Sequence, residues 1–214
     1  MSHFSRLLEA NQLSKHDGRP LWKYSLSDDE YYELKNTLRT TFNFYSIDDS
    51  RDITLYFTEW WKREYNGGKP SKEEVFLSLN RNSDDRCNHR SLFDLAKEGA
   101  LKLGIRWIKK QNTLYFRTLL LQGGMPLNHI SQNIGTYGVF LSNLLDKNYK
   151  SVEDIIYDTT LTRILPHASQ NEVIYENCLS IIESFQKGDR VYQDIFNRNQ
   201  ELANVYSGLL LKSR

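Results

Sequence analysis

Helix punctuation recurs along this chain more densely than any other local signal. Ser27-Asp28-Asp29-Glu30 and Ser71-Lys72-Glu73-Glu74 each set a hydroxyl at a helix start and a carboxylate three residues on, the reciprocal pair that satisfies two otherwise orphaned amides. Ser151 with Asp154 repeats the signal in the last third. Between the starts, apolar residues fall at helical spacing: Ile53, Phe57, Trp60 and Trp61 at i, i+4, i+7 and i+8, then Leu92, Leu95, Ala96, Gly99 and Leu103. Stops follow at Asn66-Gly67-Gly68 with Pro70, at Gly104, and at Gly123-Gly124-Met125-Pro126. The fold class implied is all-α.

The spacing predicts a helix from about Ser27 to Thr40, with Leu26 and Tyr31 stapling its start, and a short one after Ser71 that buries Val75, Phe76 and Leu79. Asn112 caps a helix through Leu121, and Pro166 separates the short helix at Ser151 from a longer one near Asn171 to Gln186. Val191, Ile195, Leu202, Val205 and Leu209 form a final seam, broken at Arg198. Eight or more helices are expected in one irregular multi-helix globular domain over residues 1–214, divisible into lobes 1–124 and 125–214. Lys212-Ser213-Arg214 supplies no glycine cap, and the expectation is a front module of a longer protein. Asn80 to Arg90, polar apart from Cys87, reads as a loop. Of the adjacent Trp60 and Trp61, one is expected to point inward and the other to sit at a contact.

A chain of 214 residues can bury a sizeable core, and 13% aromatic residues say that Phe, Tyr and Trp build much of it. Its longest apolar runs, such as Leu119-Leu120-Leu121, fall far short of the roughly 20 residues a membrane span needs. The amino terminus carries no apolar stretch of secretory type, and Cys87 and Cys178 lie far apart without a disulfide framework. Both point to a cytoplasmic protein.

Charge is unevenly placed. From Gly99 to Leu145 no Asp or Glu occurs, although acids occupy 27 positions of the chain, and Lys102, Arg106, Lys109, Lys110 and Arg117 make that stretch positive. A cationic tract on a mildly acidic body attracts a phosphate backbone or an acidic protein face. Trp107, Tyr115 and Phe116 interleave the cations, which suits stacked bases as well as a protein surface. Solvation, or pairing with carboxylates of the same chain, is the simpler account of such charges.

Asn128 to Leu145 has helix-turn-helix spacing, with Ser131 small, Gly135 at the turn, and Ile130, Ile134, Leu141 and Leu144 filling the angle. Its second helix would expose Tyr137, Gly138, Phe140, Ser142 and Asn143 but no Arg or Lys, which weighs against base reading. The candidate surface for nucleic acid or an acidic partner is therefore Arg106, Trp107, Lys109, Lys110 and Arg117, with Tyr137 and Asn143 from the second unit of spacing.

Catalytic signals are sparse. Cys87 and His89 form one Cys-x-His pair, with His129 and Cys178 distant, so neither zinc spacing nor a nucleophile with a positioned base is visible. Asp84 and Asp85 are flanked by Arg81 and Arg86, and both double glycines end helices instead of opening a phosphate loop. No metal, no cofactor and no catalytic residue is expected.

The run from Leu103-Gly104-Ile105-Arg106-Trp107 through Gln122-Gly123-Gly124-Met125-Pro126 resembles the amino-terminal region of large, poorly characterised bacterial proteins carried on genomic islands. The resemblance extends loosely from Trp60-Trp61 to Leu165-Pro166-His167-Ala168-Ser169-Gln170-Asn171-Glu172. It implies an intracellular bacterial protein linked to defence against phage, with this chain as its front part, and it carries over no catalytic residue. The expected function is a non-enzymatic interaction or scaffold module with a protein partner or downstream domains. The alternative is a nucleic-acid-binding module.

Overall fold

A computed structural model describes residues 1–24, 26–41, 50–82, 84–87, 89–105, 112–187 and 200–212. Among these residues lie twelve α-helices: α1 (His3–Ala10), α2 (Asp28–Thr41), α3 (Ser50–Arg63), α4 (Lys72–Ser78), α5 (Leu92–Lys102), α6 (Asn112–Gln122), α7 (Leu127–Gln132), α8 (Ile134–Lys147), α9 (Val152–Tyr157), α10 (Thr159–Thr162), α11 (Glu172–Gln186) and α12 (Gln200–Lys212). Short 3-10 turns occur at Leu21–Lys23 and His167–Ser169. The expected all-α class holds. Strand structure among the described residues is one antiparallel pair, β1 (Arg86–Cys87) and β2 (Arg90–Ser91), with Arg86 opposite Ser91. All of it but Ser91 lies in the segment read as a loop, because two residues per strand are too few to show an alternating pattern. No helix among the described residues is long and apolar enough to cross a membrane.

The chain divides into two compact units, one made of Met1–Glu64 with Pro70–Gly124 and one of Tyr65–Lys69 with Met125–Arg214. In the first, α3 is central and touches α1, α2, α5, α6 and the turn at Leu21–Lys23. Neighbours on all sides bury nearly its whole circumference, including both tryptophans, Trp60 at 4% exposure and Trp61 at 0%. That overturns the expectation of one indole at an outer contact, which assumed a helix with a single covered face. Trp61 Nε1 donates to Gly124 O at 2.7 Å.

A helix this buried must satisfy its own polar groups. Thr54 Oγ1 donates to Ala96 O at 2.8 Å and Thr58 Oγ1 to Leu55 O at 2.7 Å. Asp52 accepts from His3 N at 3.0 Å and Phe4 N at 2.7 Å, while Ser2 Oγ accepts from Ser5 N, so the first three amides of α1 are bonded. Glu59, at 1% exposure, pairs with Lys62 at 3.3 Å and Arg63 at 2.6 Å.

The local starts form as their residues dictate. Ser27 and Glu30 bond reciprocally at α2, as do Ser71 with Glu74 at α4 and Ser151 with Asp154 at α9. Arg39 near the end of α2 donates to Ser78 O of α4 at 2.7 Å, and Arg81 donates back to Arg39 O at 2.8 Å, so two helix ends cap each other.

In the second unit α8 packs against α7, α10, α11 and α12. The expected helix-turn-helix is corrected here. The chain breaks at Asn133, and Gly135 lies inside the first turn of α8 instead of forming the turn. Tyr137 and Phe140, expected outward, are buried at 1% and 0% exposure, because α8 has partners on more than one side. Ile130, Leu141 and Leu144 are buried as expected.

Candidate functional site

Of the seven candidate binding residues, Arg106, Trp107, Lys109 and Lys110 lie outside the described residues. Arg117 is half-buried on α6, next to Phe116. Tyr137 is enclosed in the second unit, and burial pushes its phenol pKa up, so it offers no surface to a ligand. Asn143 is half-buried and donates from Nδ2 to Val139 O of its own helix at 2.9 Å.

Lys102, the other described cation of the tract, pairs with Glu98 at 2.7 Å, four residues back on α5, and Glu98 also binds Arg90. This charge is answered in place by an i, i+4 partner that the sequence already displayed. Two cations that the tract did not include stand close to it. Lys72 and Lys97 lie over the Phe93 ring at 5.6 Å and 5.2 Å, and Phe93 packs edge-on against Phe116 at 6.4 Å. Their signal was half legible, since Phe93 and Lys97 share the i, i+4 spacing; Lys72 arrives from another helix. Lys97 also pairs with Asp94 at 2.6 Å. The first unit thus sets an aromatic pair under cations beside the acid-free tract.

The second unit contains a buried polar cluster that sequence reasoning did not assemble. His129 on α7 is 3% exposed, and its Nε2 lies 2.7 Å from Ser169 Oγ in the turn at His167–Ser169. The imidazole meets Tyr65 edge-on at 5.4 Å and Tyr137 at 6.1 Å. Nδ1 of His129 and Oη of Tyr137 are buried without a partner among the described residues. Burial is the cause that holds the His129 pKa below its ordinary 6.5. Ser169 is fully buried, and among the described residues no group orients the far side of the ring, whereas a nucleophilic serine is accessible and its histidine is held by a third group. Their chemistry is that of a neutral hydrogen bond holding a turn.

Cys178 on α11 is buried, and burial pushes its thiol pKa up, opposite to what a reactive thiolate requires. Among the described residues, no three His, Cys, Asp or Glu side chains gather where a metal ion could sit.

The profile of the family described as YjiT N-terminal domain matches residues 1–125. The chain belongs to this family. Among curated proteins, Protein YjiT of Escherichia coli (strain K12) is 21% identical over 189 residues, which cover 84% of this chain and 35% of that protein. The chain therefore spans about a third of its curated relative's length. No solved structure matches it. The YjiT N-terminal match takes in the whole first unit and the strap at residues 65–69, and the longer similarity to the E. coli protein continues past residue 125.

Proposed function

We propose that this YjiT-family chain is a non-enzymatic interaction module of a larger cytoplasmic bacterial protein, docking onto an acidic face of a protein partner or of further domains of the same polypeptide. The observation that carries the reading is the run from Gly99 to Leu145, forty-seven residues without a carboxylate and with five cations, in a chain that elsewhere holds more acids than bases. Phe93, with Lys72 and Lys97 over its ring, packs on Phe116 of that run and supports the reading with flat apolar area, although Lys97 is itself paired with Asp94. The relative's greater length supplies candidate partner domains.

The test expresses this chain and, as a second chain, the remainder of a full-length YjiT-family protein. The expected result is association that weakens at least about tenfold between low and physiological salt, and equally on replacing Lys109 and Lys110 with Glu. Association indifferent to both changes, or none at low salt, defeats the reading.

Interleaving of Arg106, Lys109, Lys110 and Arg117 with Trp107, Tyr115 and Phe116 favours a second reading, nucleic-acid binding. Labelled duplex and single strands separate the two: steeply salt-dependent binding of any sequence supports the second, and failure of both strands at low salt removes it. The resemblance to genomic-island proteins extends the proposal to phage defence, which plaque counts on cells with and without the gene would measure.

A further inference from the structure

Residues 65–69, part of the second unit, form a strap held against the 168–171 turn by a small set of bonds. Gly68 N–H donates to Ala168 O at 2.6 Å, Tyr65 Oη–H donates to Gly68 O at 2.5 Å, and Asn171 Nδ2 donates to Tyr65 Oη at 3.0 Å. Both glycines have positive φ, Gly67 at +103° and Gly68 at +88°. Gly67 also lies directly on His129: a β-carbon there would meet Cε1 at 2.9 Å and the Ala168 methyl at 3.0 Å. The imidazole is thus the floor on which the strap rests.

That floor tolerates only a neutral ring. With Nε2 engaged by Ser169 Oγ, the Nδ1 position faces no acceptor among the described residues. An imidazolium needs acceptors at both nitrogens and a counter-charge. The titratable groups against the ring are the phenols of Tyr65 on the strap and Tyr137 on α8, with the Cys178 thiol of α11 beside Tyr137. None of these is anionic at neutral pH. Lys69 on the strap and His167 in the turn are exposed, and no charged group contributes to the shift at His129.

We propose that His129 is a proton-operated release for the strap: uptake of a proton at its partnerless nitrogen frees residues 65–69 from the 168–171 turn while α8 and α11 stay packed. The inference is independent of the docking function. Because burial lowers the ring's pKa, the released form takes up protons more readily than the fastened one. The strap is therefore fully held above about pH 6.5 and loosens as pH falls below it.

Hydrogen exchange at the Gly68 amide of the 214-residue chain, corrected for intrinsic rates, tests this at about pH 7.5 and about pH 5. Protection of Gly68 is expected to fall at least about tenfold at the lower pH, while Ile181 and Ile182 of α11 keep theirs, and His129→Gln is expected to remove the pH dependence. Equal loss in His129→Gln, unchanged protection in the wild type, or simultaneous loss at Ile181 overturns the proposal. If His129→Gln does not fold, an NMR titration of the wild-type His129 Cε1–H decides. A midpoint below 6.5 that tracks Gly68 exchange supports the release, and one at or above 6.5 refutes it.

Discussion

Gly99 of α5 lies so close to the carbonyl oxygen of Ser50 on α3 that a β-carbon at that position would fall inside the radii of Ser50 O and Thr54 Oγ1. Backbone on one side and a hydrogen-bonded threonine on the other leave nothing that can yield. Gly99→Ala is expected to cost about 3 kcal/mol, the upper part of the usual overpacking range. The melting temperature should fall by roughly 6–12 °C. Gly135, which has open space around its missing β-carbon and lies within α8, is the control: Gly135→Ala should be neutral or stabilising by up to about 1 kcal/mol. A destabilised Gly135→Ala would reinstate the glycine turn that the structure replaces with Asn133.

Asp52 reaches from α3 to bond the first two amides of α1. Asp52→Ala should destabilise the first unit by about 1–2 kcal/mol, the usual worth of a helix cap, with the loss concentrated in α1. Amide exchange at Leu7 and Leu8 would rise before that of Leu55 or Phe57. Uniform acceleration would show that Asp52 acts on the whole unit instead.

Glu59 is the buried carboxylate shared by Lys62 and Arg63. Glu59→Gln keeps the shape and removes the charge, leaving two cations in a desolvated region without that carboxylate. The expected cost is about 1–3 kcal/mol by chemical denaturation, because Arg63 keeps its ion pair with Asp28 and its bond to Leu26 O. A loss under about 1 kcal/mol would mean that water reaches the pair.

Lys97 first, and Ser91 second, hold the Asp94 carboxyl below its ordinary range, pushed down to about 2. A carboxylate lowered in the folded state contributes stability that is complete above its unfolded pKa near 3.8 and is lost as pH falls toward 2. Lys97→Met should raise the Asp94 pKa more than Ser91→Ala does, as read by NMR titration. The opposite order would assign the shift to the cap hydroxyl.

The helix starts at Ser27, Ser71 and Ser151 were legible because a capping box closes within four residues and needs nothing from the rest of the chain. The burial of both Trp60 and Trp61 was not, since an amphipathic pattern presumes one covered face and α3 has neighbours all round. Tyr137 failed as a surface residue for the same reason on α8. At the candidate surface, the Glu98–Lys102 pairing stood in the sequence at i, i+4, whereas Lys72 over Phe93 brings residues twenty-one positions apart into contact and had no local sign.

By itself the sequence determined the class of structure, most of the helix limits, and an uneven distribution of charge, because each depends on dihedral preferences, caps and composition that act over a few residues. Tertiary structure alone decided which helix is enclosed, that Asp52 serves α1, and that His129 meets Tyr65 and Ser169. Those relationships join residues 40 or more positions apart, and only the packing of whole helices sets their distances.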